Sequence, residues 1–227
     1  MDLSHFDAII FDNDGVLVDS ETIHVAVERE LLAEIGLDYD HQTFMSRFVG
    51  LHNHDFQAAL ARDYAEKYDR VFPSDFRTKL DARAWPKIES ELMPIDGVAD
   101  LVAAFPGAVA VASSATTHRL NRKLEIAGLR DLFSPHVYSA DQVAQGKPSP
   151  DLFLFAAGQL GVAPARCMVI EDSVNGILAA RAANMLSIGF VGGGHADARH
   201  SDRLLEAGAH GCVAQHEEIL AWVRKSA

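Results

Sequence analysis

Two kinds of apolar pattern alternate along the chain: short continuous runs, and longer stretches in which apolar residues recur every three or four positions. The short runs are typical of strands buried on both faces, and the longer stretches of amphipathic helices. The predicted strands are residues 6–11, 108–112, 136–139, 167–170 and 186–191, with a weaker one at 211–214. Helices are predicted at 116–127, 150–160 and 173–183, each followed by Gly or Asn, which favour helix ends. This alternation predicts an α/β fold with a mostly parallel sheet in three layers.

Residues 18–92 interrupt the alternation, because they contain helical patterns and no convincing strand. Helices are predicted at 20–35, 41–48, 52–68 and 74–84, and Pro86 is expected to interrupt the last segment. The chain is therefore predicted to have a core domain made of residues 1–17 and 93–227, and a helical insertion made of residues 18–92.

Composition narrows the class of protein. The chain has 227 residues, of which 48% are hydrophobic, so it is long enough to bury a sizeable core. Its formal net charge of -12 disfavours nucleic acid as a partner, and its apolar runs are too short to span a membrane. The polar, acidic start lacks the features of a signal peptide, so we expect a cytoplasmic protein. Cys167 and Cys212 form no C-x-x-C motif and are expected to be buried structural thiols.

Charged and hydroxyl side chains follow four of the predicted strands near the point where each strand ends. Because the carboxyl ends of parallel strands share one edge of a sheet, where ligands of open α/β folds bind, these side chains are expected to converge. They are Asp12 and Asp14 after the first strand, Ser113 and Ser114 after the second, Lys147 in a loop after the third, and Glu171 and Asp172 after the fourth.

The acidic residues of this group require a positive partner. Two unit charges about 4 Å apart repel by roughly 4 kcal/mol at an effective dielectric constant near 20. A hard divalent cation with oxygen ligands suits such a cluster, and Mg²⁺ is usually held by one or two carboxylates together with phosphate and water. Each motif alone has an ordinary interpretation as a turn, a helix cap or a solvated loop charge. Their occurrence at corresponding strand ends favours a site that binds a metal and a phosphate.

Four motifs in order along nearly the whole chain resemble the haloacid dehalogenase superfamily of phosphohydrolases: "DNDGVLVDSE", "VASSA", "GKPSPDLF" and "VIEDSVNGILAARAANM". The similarity is to the subgroup of the β-phosphoglucomutases and the bacterial sugar-phosphate phosphatases. It implies a Rossmann-like core with a helical cap inserted after the first motif. Asn13 departs from the apolar or aromatic residue common between the two aspartates, and its side chain is expected to point away from the chemistry.

The resemblance also implies roles for individual residues. Asp12 would be the nucleophile that becomes an aspartyl phosphate, and Asp14 the general acid and then the general base. Mg²⁺ would be the cofactor, held by the Asp12 carboxylate, the Asp14 main-chain carbonyl and Asp172, with Glu171 as a ligand or the partner of one. The phosphoryl oxygens would be held by Ser113 and Lys147, assisted by backbone N–H groups near Gly15 and Ser114.

The function predicted on this basis is hydrolysis of a small phosphorylated metabolite, a sugar phosphate or a sugar-acid phosphate, by a protein expected to be monomeric. A phosphomutase is the first alternative. The β-phosphoglucomutases that this chain resembles have a phosphate-binding arginine at the position that Asn53 occupies here, which disfavours this alternative. A non-catalytic receiver-like module is the second, although such modules typically lack a helical insertion after the first strand. Candidates for substrate contact in the cap are His24, His52 and Asn53, followed by His54, Arg47 and Lys79.

Overall fold

The computed structural model describes residues 1–48, 53–194 and 196–226. For Ser46, Asn53 and His54 it describes the backbone but not the side chain. His52, one of the cap candidates, lies outside the described residues.

A six-stranded parallel sheet forms the centre of the fold, with the strand order β3-β2-β1-β4-β5-β6. The α/β fold class predicted from the sequence is confirmed, and each predicted strand is present within a few residues of its expected ends. The strands are β1 (Ala8–Phe11), β2 (Ala108–Ser113), β3 (Val137–Ser139), β4 (Cys167–Glu171), β5 (Leu186–Phe190) and β6 (Cys212–Val213). Because β1 pairs with β2 on one side and β4 on the other, the carboxyl ends of these three strands are neighbours.

Helices cover both faces of the sheet. Successive residues of β1 point to opposite faces, so Ile9 and Phe11 join one buried apolar cluster and Ala8 and Ile10 another. The covering helices are α5 (Val98–Ala104), α6 (Thr117–Ile126), α7 (Arg130–Phe133), α8 (Asp151–Leu160), α9 (Val174–Ala182), α10 (His200–Ala207) and α11 (His216–Ser226). Helices α5, α7, α10 and α11 were not predicted, although the buried residues Ile219, Leu220 and Val223 give α11 a helical apolar spacing.

The stretch between β1 and α5 is helical where it is described, as predicted, and has an apolar cluster of its own. Its helices are α1 (Ser20–Glu34), α2 (His41–Phe48), α3 (Asn53–Tyr68) and α4 (Phe76–Glu91). Leu32, Phe44, Leu60 and Leu80 are almost completely buried in this cluster. The exact domain boundaries at residues 18 and 92 stay a prediction.

The expected interruption at Pro86 is wrong, because α4 continues through this residue to Glu91. Proline in a helix interior loses a hydrogen bond and costs about 3 kcal/mol. Leu80, Ala84 and Ile88 are each 1% exposed and share one face of α4 at intervals of four residues, on both sides of the proline. Burial of this continuous apolar face offsets the lost bond, which is tertiary information that local sequence does not contain.

Candidate active site at the carboxyl ends of the strands

A tight turn directly after β1 positions the two aspartates of the first motif. The Asp12 N–H donates to the Ile170 carbonyl at 2.9 Å, which continues the pairing of β1 with β4. Beyond it, the Asn13 carbonyl accepts the N–H groups of Leu17 and Val18 at 2.8 and 3.1 Å. Gly15 has a φ of 77°, in the left-handed region that glycine adopts without strain. The turn therefore brings Asp12 to the sheet edge.

Three carboxylates meet where β1 and β4 end. Oxygen atoms of Asp12, Glu171 and Asp172 lie within 4.8 Å of one another, and all three residues are buried. Lys147 lies against them, with its Nζ 2.5 Å from Asp12 Oδ1 and 2.7 Å from Glu171 Oε2. Gly176, near the start of α9, leaves the room that the Glu171 side chain occupies, since a Cβ there would collide with it. The convergence expected from the sequence is thus present for these residues.

Burial and neighbouring charge shift the pKa values of this cluster. Burial, followed by the charge of Glu171, raises the pKa of Asp12 to about 7 against the opposing effect of Lys147. Burial also raises the pKa of Glu171. For Lys147, burial works against the charge, but the attraction of Asp12 and Glu171 outweighs it and raises the pKa. Lys147 is therefore a charged ammonium held between two carboxyl groups. Each of these two groups has a raised pKa, because ionising both of them in a buried site is unfavourable.

The cluster fits a hard divalent cation. Its donors are carboxylate oxygens, the ligand type that Mg²⁺ prefers, and three carboxylates carry more negative charge than one lysine offsets. The carboxylate of Asp14 does not belong to this group.

Asp14 is instead held by a residue that the sequence analysis missed. Lys123, on α6, forms an ion pair with Asp14 Oδ1, and the Ser20 hydroxyl donates to the same oxygen at 2.5 Å. Burial raises the pKa of Asp14, but the charge and hydrogen bond of Lys123 and the bond from Ser20 outweigh it, so the pKa is lowered. The sequence carried a signal, because Lys123 lies three positions after Leu120 and next to Leu124, which places a lysine on the apolar face of a predicted amphipathic helix.

The phosphate-binding candidates divide into two groups. Ser113 and Ser114 line the same cavity as the acidic cluster, and the Ser113 Oγ accepts the Ala115 N–H at 3.1 Å. Gly15 is not among the residues that line this cavity, and its N–H donates to the Val18 carbonyl at 2.9 Å. The turn conformation, rather than a free amide, is what the structure shows for Gly15.

A cavity of about 490 Å³ lies between the sheet edge and the helical insertion. Its sheet side carries the predicted residues Asp12, Asp14, Ser113, Ser114, Lys147, Glu171 and Asp172. The insertion contributes Glu21, Val25, Glu28, Phe44, Phe48, Phe56 and Arg77. His200 and Arg203, both on α10, also line the cavity, and the sequence analysis did not propose them. His200 Nε2 donates to the Asp172 carbonyl at 2.5 Å, and Arg203 pairs with Asp197 at 3.0 Å.

Three of the six cap residues proposed from the sequence are described with their side chains, and none of these three lines this cavity. His24 lines a second, smaller cavity next to Lys123, and burial lowers its pKa. Arg47 pairs with Asp63, and Lys79 pairs with Asp75 at 2.8 Å. Neither cation is among the residues that line the main cavity. His52 lies outside the described residues, as do the side chains of Asn53 and His54.

The strand order, the helical insertion after β1 and the carboxylate-rich edge together define the class that the sequence resembles. A family model described as haloacid dehalogenase-like hydrolase matches residues 6–184, and the chain belongs to this family.

Individual relatives narrow the subgroup. Hexitol phosphatase B of Escherichia coli (strain K12) is 32% identical over 80% of this chain and 82% of its own length. Fructose-1-phosphate phosphatase YqaB of the same strain is 34% identical over 78% of this chain and 92% of its own. The crystal structure of a haloacid dehalogenase family hydrolase from Deinococcus radiodurans R1, with bound phosphate and sodium, is 37% identical and has a TM-score of 0.83. That match covers 98% of this chain and 97% of the other. None of the helices in the described part of this chain is long and apolar enough to cross a bilayer.

Proposed function

We propose that the protein is a Mg²⁺-dependent phosphatase that hydrolyses a phosphorylated sugar or a related small metabolite through an aspartyl phosphate. The observation that carries this proposal is the contact of Lys147 with Asp12 beside Glu171 and Asp172. This contact places the proposed nucleophile, a cation and a group of carboxylates that can bind a metal next to one another in a buried position. The phosphatase relatives support the reaction class.

In the first step a carboxylate oxygen of Asp12 attacks the phosphorus atom, and the bond from phosphorus to the leaving alcohol breaks. Asp14 donates a proton to that alcohol oxygen. Although burial opposes the shift, the Lys123 charge and the Ser20 hydrogen bond lower the pKa of Asp14, so Asp14 is proposed to take up this proton when the negatively charged phosphate binds beside it. In the second step water attacks the phosphorus atom, Asp14 accepts its proton, and the bond to Asp12 breaks to release inorganic phosphate. Two displacements replace one slow hydrolysis, for which enzymes supply accelerations of up to about 10²¹.

Lys147, Ser113 and Ser114 are proposed to hold the non-bridging oxygens of the phosphoryl group. An ammonium and hydroxyl groups that are fixed before the reaction stabilise charge with little reorganisation. Lys147 is suited to this task because its side chain is 3% exposed and its position is set by two carboxylates.

Asp12, Glu171 and Asp172, with the main-chain carbonyl of Asp14, are the residues proposed to hold Mg²⁺. When bound, the ion supplies positive charge that offsets the carboxylates and polarises the phosphoryl oxygens. The helical insertion is proposed to act as the cap domain, since it forms the cavity wall opposite the sheet edge.

The test is release of inorganic phosphate from p-nitrophenyl phosphate and from a panel of sugar phosphates, with Asp12→Asn as the variant. We expect turnover to fall by several orders of magnitude because the nucleophile is removed. Asp7→Asn is the matched control, since Asp7 lies just before β1 at the opposite edge of the sheet, in an exposed ion pair with Arg166. Wild-type turnover by the Asp12→Asn variant would refute the mechanism.

A further inference from the structure

His200, the first residue of α10, forms a hydrogen bond with the residue that follows β4. Its Nε2 lies 2.5 Å from the main-chain carbonyl oxygen of Asp172. A carbonyl oxygen can only accept a hydrogen bond, so Nε2 carries the proton and the imidazole is the donor. His200 is 5% exposed and Asp172 is 7% exposed, so water does not readily replace this bond. His200 takes no part in the two proposed displacement steps.

The peptide unit that joins Asp172 to Ser173 is bound at both of its polar groups. Its carbonyl accepts from His200, and its N–H, which belongs to Ser173, donates to Glu171 Oε1 at 3.0 Å. The Ser173 hydroxyl donates to the same oxygen at 2.6 Å. The other oxygen of this carboxylate, Oε2, accepts from Lys147 at 2.7 Å. The orientation of the peptide unit therefore sets both the main chain of Asp172 and one of the donors that hold Glu171.

The first turn of α10 fixes the position of His200. The His200 N–H donates to the Asp197 carbonyl at 3.0 Å, and the Arg199 N–H donates to Asp197 Oδ1 at 2.8 Å. Arg203, one turn further along the helix, donates from Nη1 to both carboxylate oxygens of Asp197 at 3.1 and 3.0 Å. Hydrogen bonds between charged groups are stronger than those between neutral groups. The imidazole that meets the Asp172 carbonyl is therefore carried by a turn that is itself held in place.

The geometry of a metal site depends on the groups that orient its ligands. Removing such a partner typically lowers metal affinity by about 10–100-fold. Mg²⁺ is sensitive to this effect because it demands a nearly ideal octahedral arrangement of oxygen atoms. Without the His200 donor, the buried carbonyl of Asp172 would have to turn toward another partner, and the donor to Glu171 would turn with it. Two of the three carboxylates in the acidic cluster would then lose their orientation.

We infer that His200 is a positioning residue of the proposed Mg²⁺ site. It holds the peptide unit between Asp172 and Ser173, and thereby orients the carboxylates of Asp172 and Glu171. Its removal weakens binding of the ion and leaves the chemical steps intact once the site is loaded. The inference rests on the proposed metal site, and it names a residue outside the ligand set on which the affinity of that site depends.

Two amide variants test the inference because they place a donor at different distances from the main chain. The amide nitrogen of glutamine is separated from Cβ by as many bonds as Nε2 of histidine, whereas that of asparagine is one bond closer. His200→Gln should therefore keep the bond to the Asp172 carbonyl, and His200→Asn should lose it.

Isothermal titration calorimetry with MgCl₂ alone, without substrate, measures the effect on metal binding. We expect the Kd for Mg²⁺ to rise about tenfold or more in His200→Asn and to stay within about threefold of the wild-type value in His200→Gln. Equal values for His200→Asn and the wild type would overturn the inference. A value for His200→Gln as high as that for His200→Asn would overturn it as well.

Phosphatase assays over a range of Mg²⁺ concentrations separate a positioning role from a catalytic one. At saturating Mg²⁺ the kcat of His200→Asn should return to within about threefold of the wild-type value, because the reacting groups are all present. A kcat that stays about tenfold or more below the wild-type value at saturating Mg²⁺ would overturn the positioning role.

Leu220→Ala is the control for a general loss of stability. Leu220, on α11, is 6% exposed and is not among the residues that line the main cavity. This variant should lower the midpoint of urea denaturation and leave the Kd for Mg²⁺ unchanged. A rise in its Kd equal to that in His200→Asn would attribute the effect to stability and overturn the inference.

Asp197→Ala replaces the two His200 variants if neither of them folds. It removes the carboxylate that Arg203 and the Arg199 N–H contact, so the turn that carries His200 should loosen. The Kd for Mg²⁺ should rise about threefold or more, and an unchanged value would overturn the inference.

The wild-type titration separates this inference from the proposed function. If the wild-type protein binds Mg²⁺ and the variants bind it equally well, the inference alone fails. If the wild-type protein releases phosphate but binds no Mg²⁺, the proposed metal site fails and the inference fails with it.

Discussion

Replacing Lys147 with methionine removes the cation that lies between two buried carboxylates. Methionine keeps most of the length of the lysine side chain, which is 3% exposed. The main change is therefore the loss of a buried positive charge. We expect a lower free energy of unfolding in a metal-free buffer, and a deficit that depends on pH.

The magnitude follows from the two contacts of Lys147. At 2.5 Å to Asp12 and 2.7 Å to Glu171, and with an effective dielectric constant of about 20, each contact contributes about 6 kcal/mol of attraction. Removal of the lysine from water offsets much of this sum. Breaking a buried ion pair by removing one partner typically costs about 3–5 kcal/mol, which is the loss expected at pH 8.

The pH dependence has a definite sign. The pKa of Asp12 is raised to about 7 in the folded protein, whereas an unfolded aspartate has a pKa near 3.9. Loss of Lys147 raises the folded pKa further, so the folded variant retains protons that the unfolded chain has released. The contribution of Asp12 to the stability deficit is therefore small below the wild-type folded pKa of about 7, where both folded proteins keep the proton, and grows above it, where the wild type releases the proton and the variant retains it.

Urea denaturation in a chelating buffer at pH 5 and pH 8 measures this difference. Lys87→Met is the matched control, because Lys87 pairs with Glu30 at 2.8 Å on the surface and should lose about 1 kcal/mol or less. Equal losses for the two variants at pH 8, or a deficit for Lys147→Met that does not change with pH, would refute the reasoning.

Three further predictions concern the reaction. Phosphatase activity should vanish in excess chelator and return with Mg²⁺, and Asp172→Ala should show the same loss; full activity in chelator would contradict the metal site. Lys123→Met should lower turnover at least about tenfold, because Asp14 loses a charge-assisted contact, whereas Lys123→Arg should retain most of the wild-type turnover. Equal turnover of the Lys123→Met variant and the wild type would show that Lys123 has no role in the site. Incubation with glucose 1-phosphate and a hexose bisphosphate should release inorganic phosphate without forming glucose 6-phosphate, since Asn53 replaces the arginine expected of a mutase; efficient interconversion would indicate that Arg77 binds the second phosphate.

The sequence by itself determined the sheet and one side of the site. Buried parallel strands have continuous apolar runs, and the residue that follows each run must lie at the carboxyl edge of the sheet. The meeting of Asp12 with Lys147 and Glu171 could therefore be predicted although they are far apart in the chain.

Tertiary structure alone decided the other side of the site. The contact of Lys123 with Asp14 joins α6 to the turn after β1, and no local pattern specifies which helix faces that turn. Which residues of the helical insertion line the cavity likewise depends on how α1 and α4 are oriented against the sheet. The sequence analysis proposed His24, but the structure shows Glu21, Glu28 and Arg77 at the cavity and His24 at a second, smaller one. The continuation of α4 through Pro86 has the same origin, because burial against residues distant in sequence outweighs a local preference. Periodicity specifies which face of an element is buried, but the partner of that face is set by the packing of the whole chain.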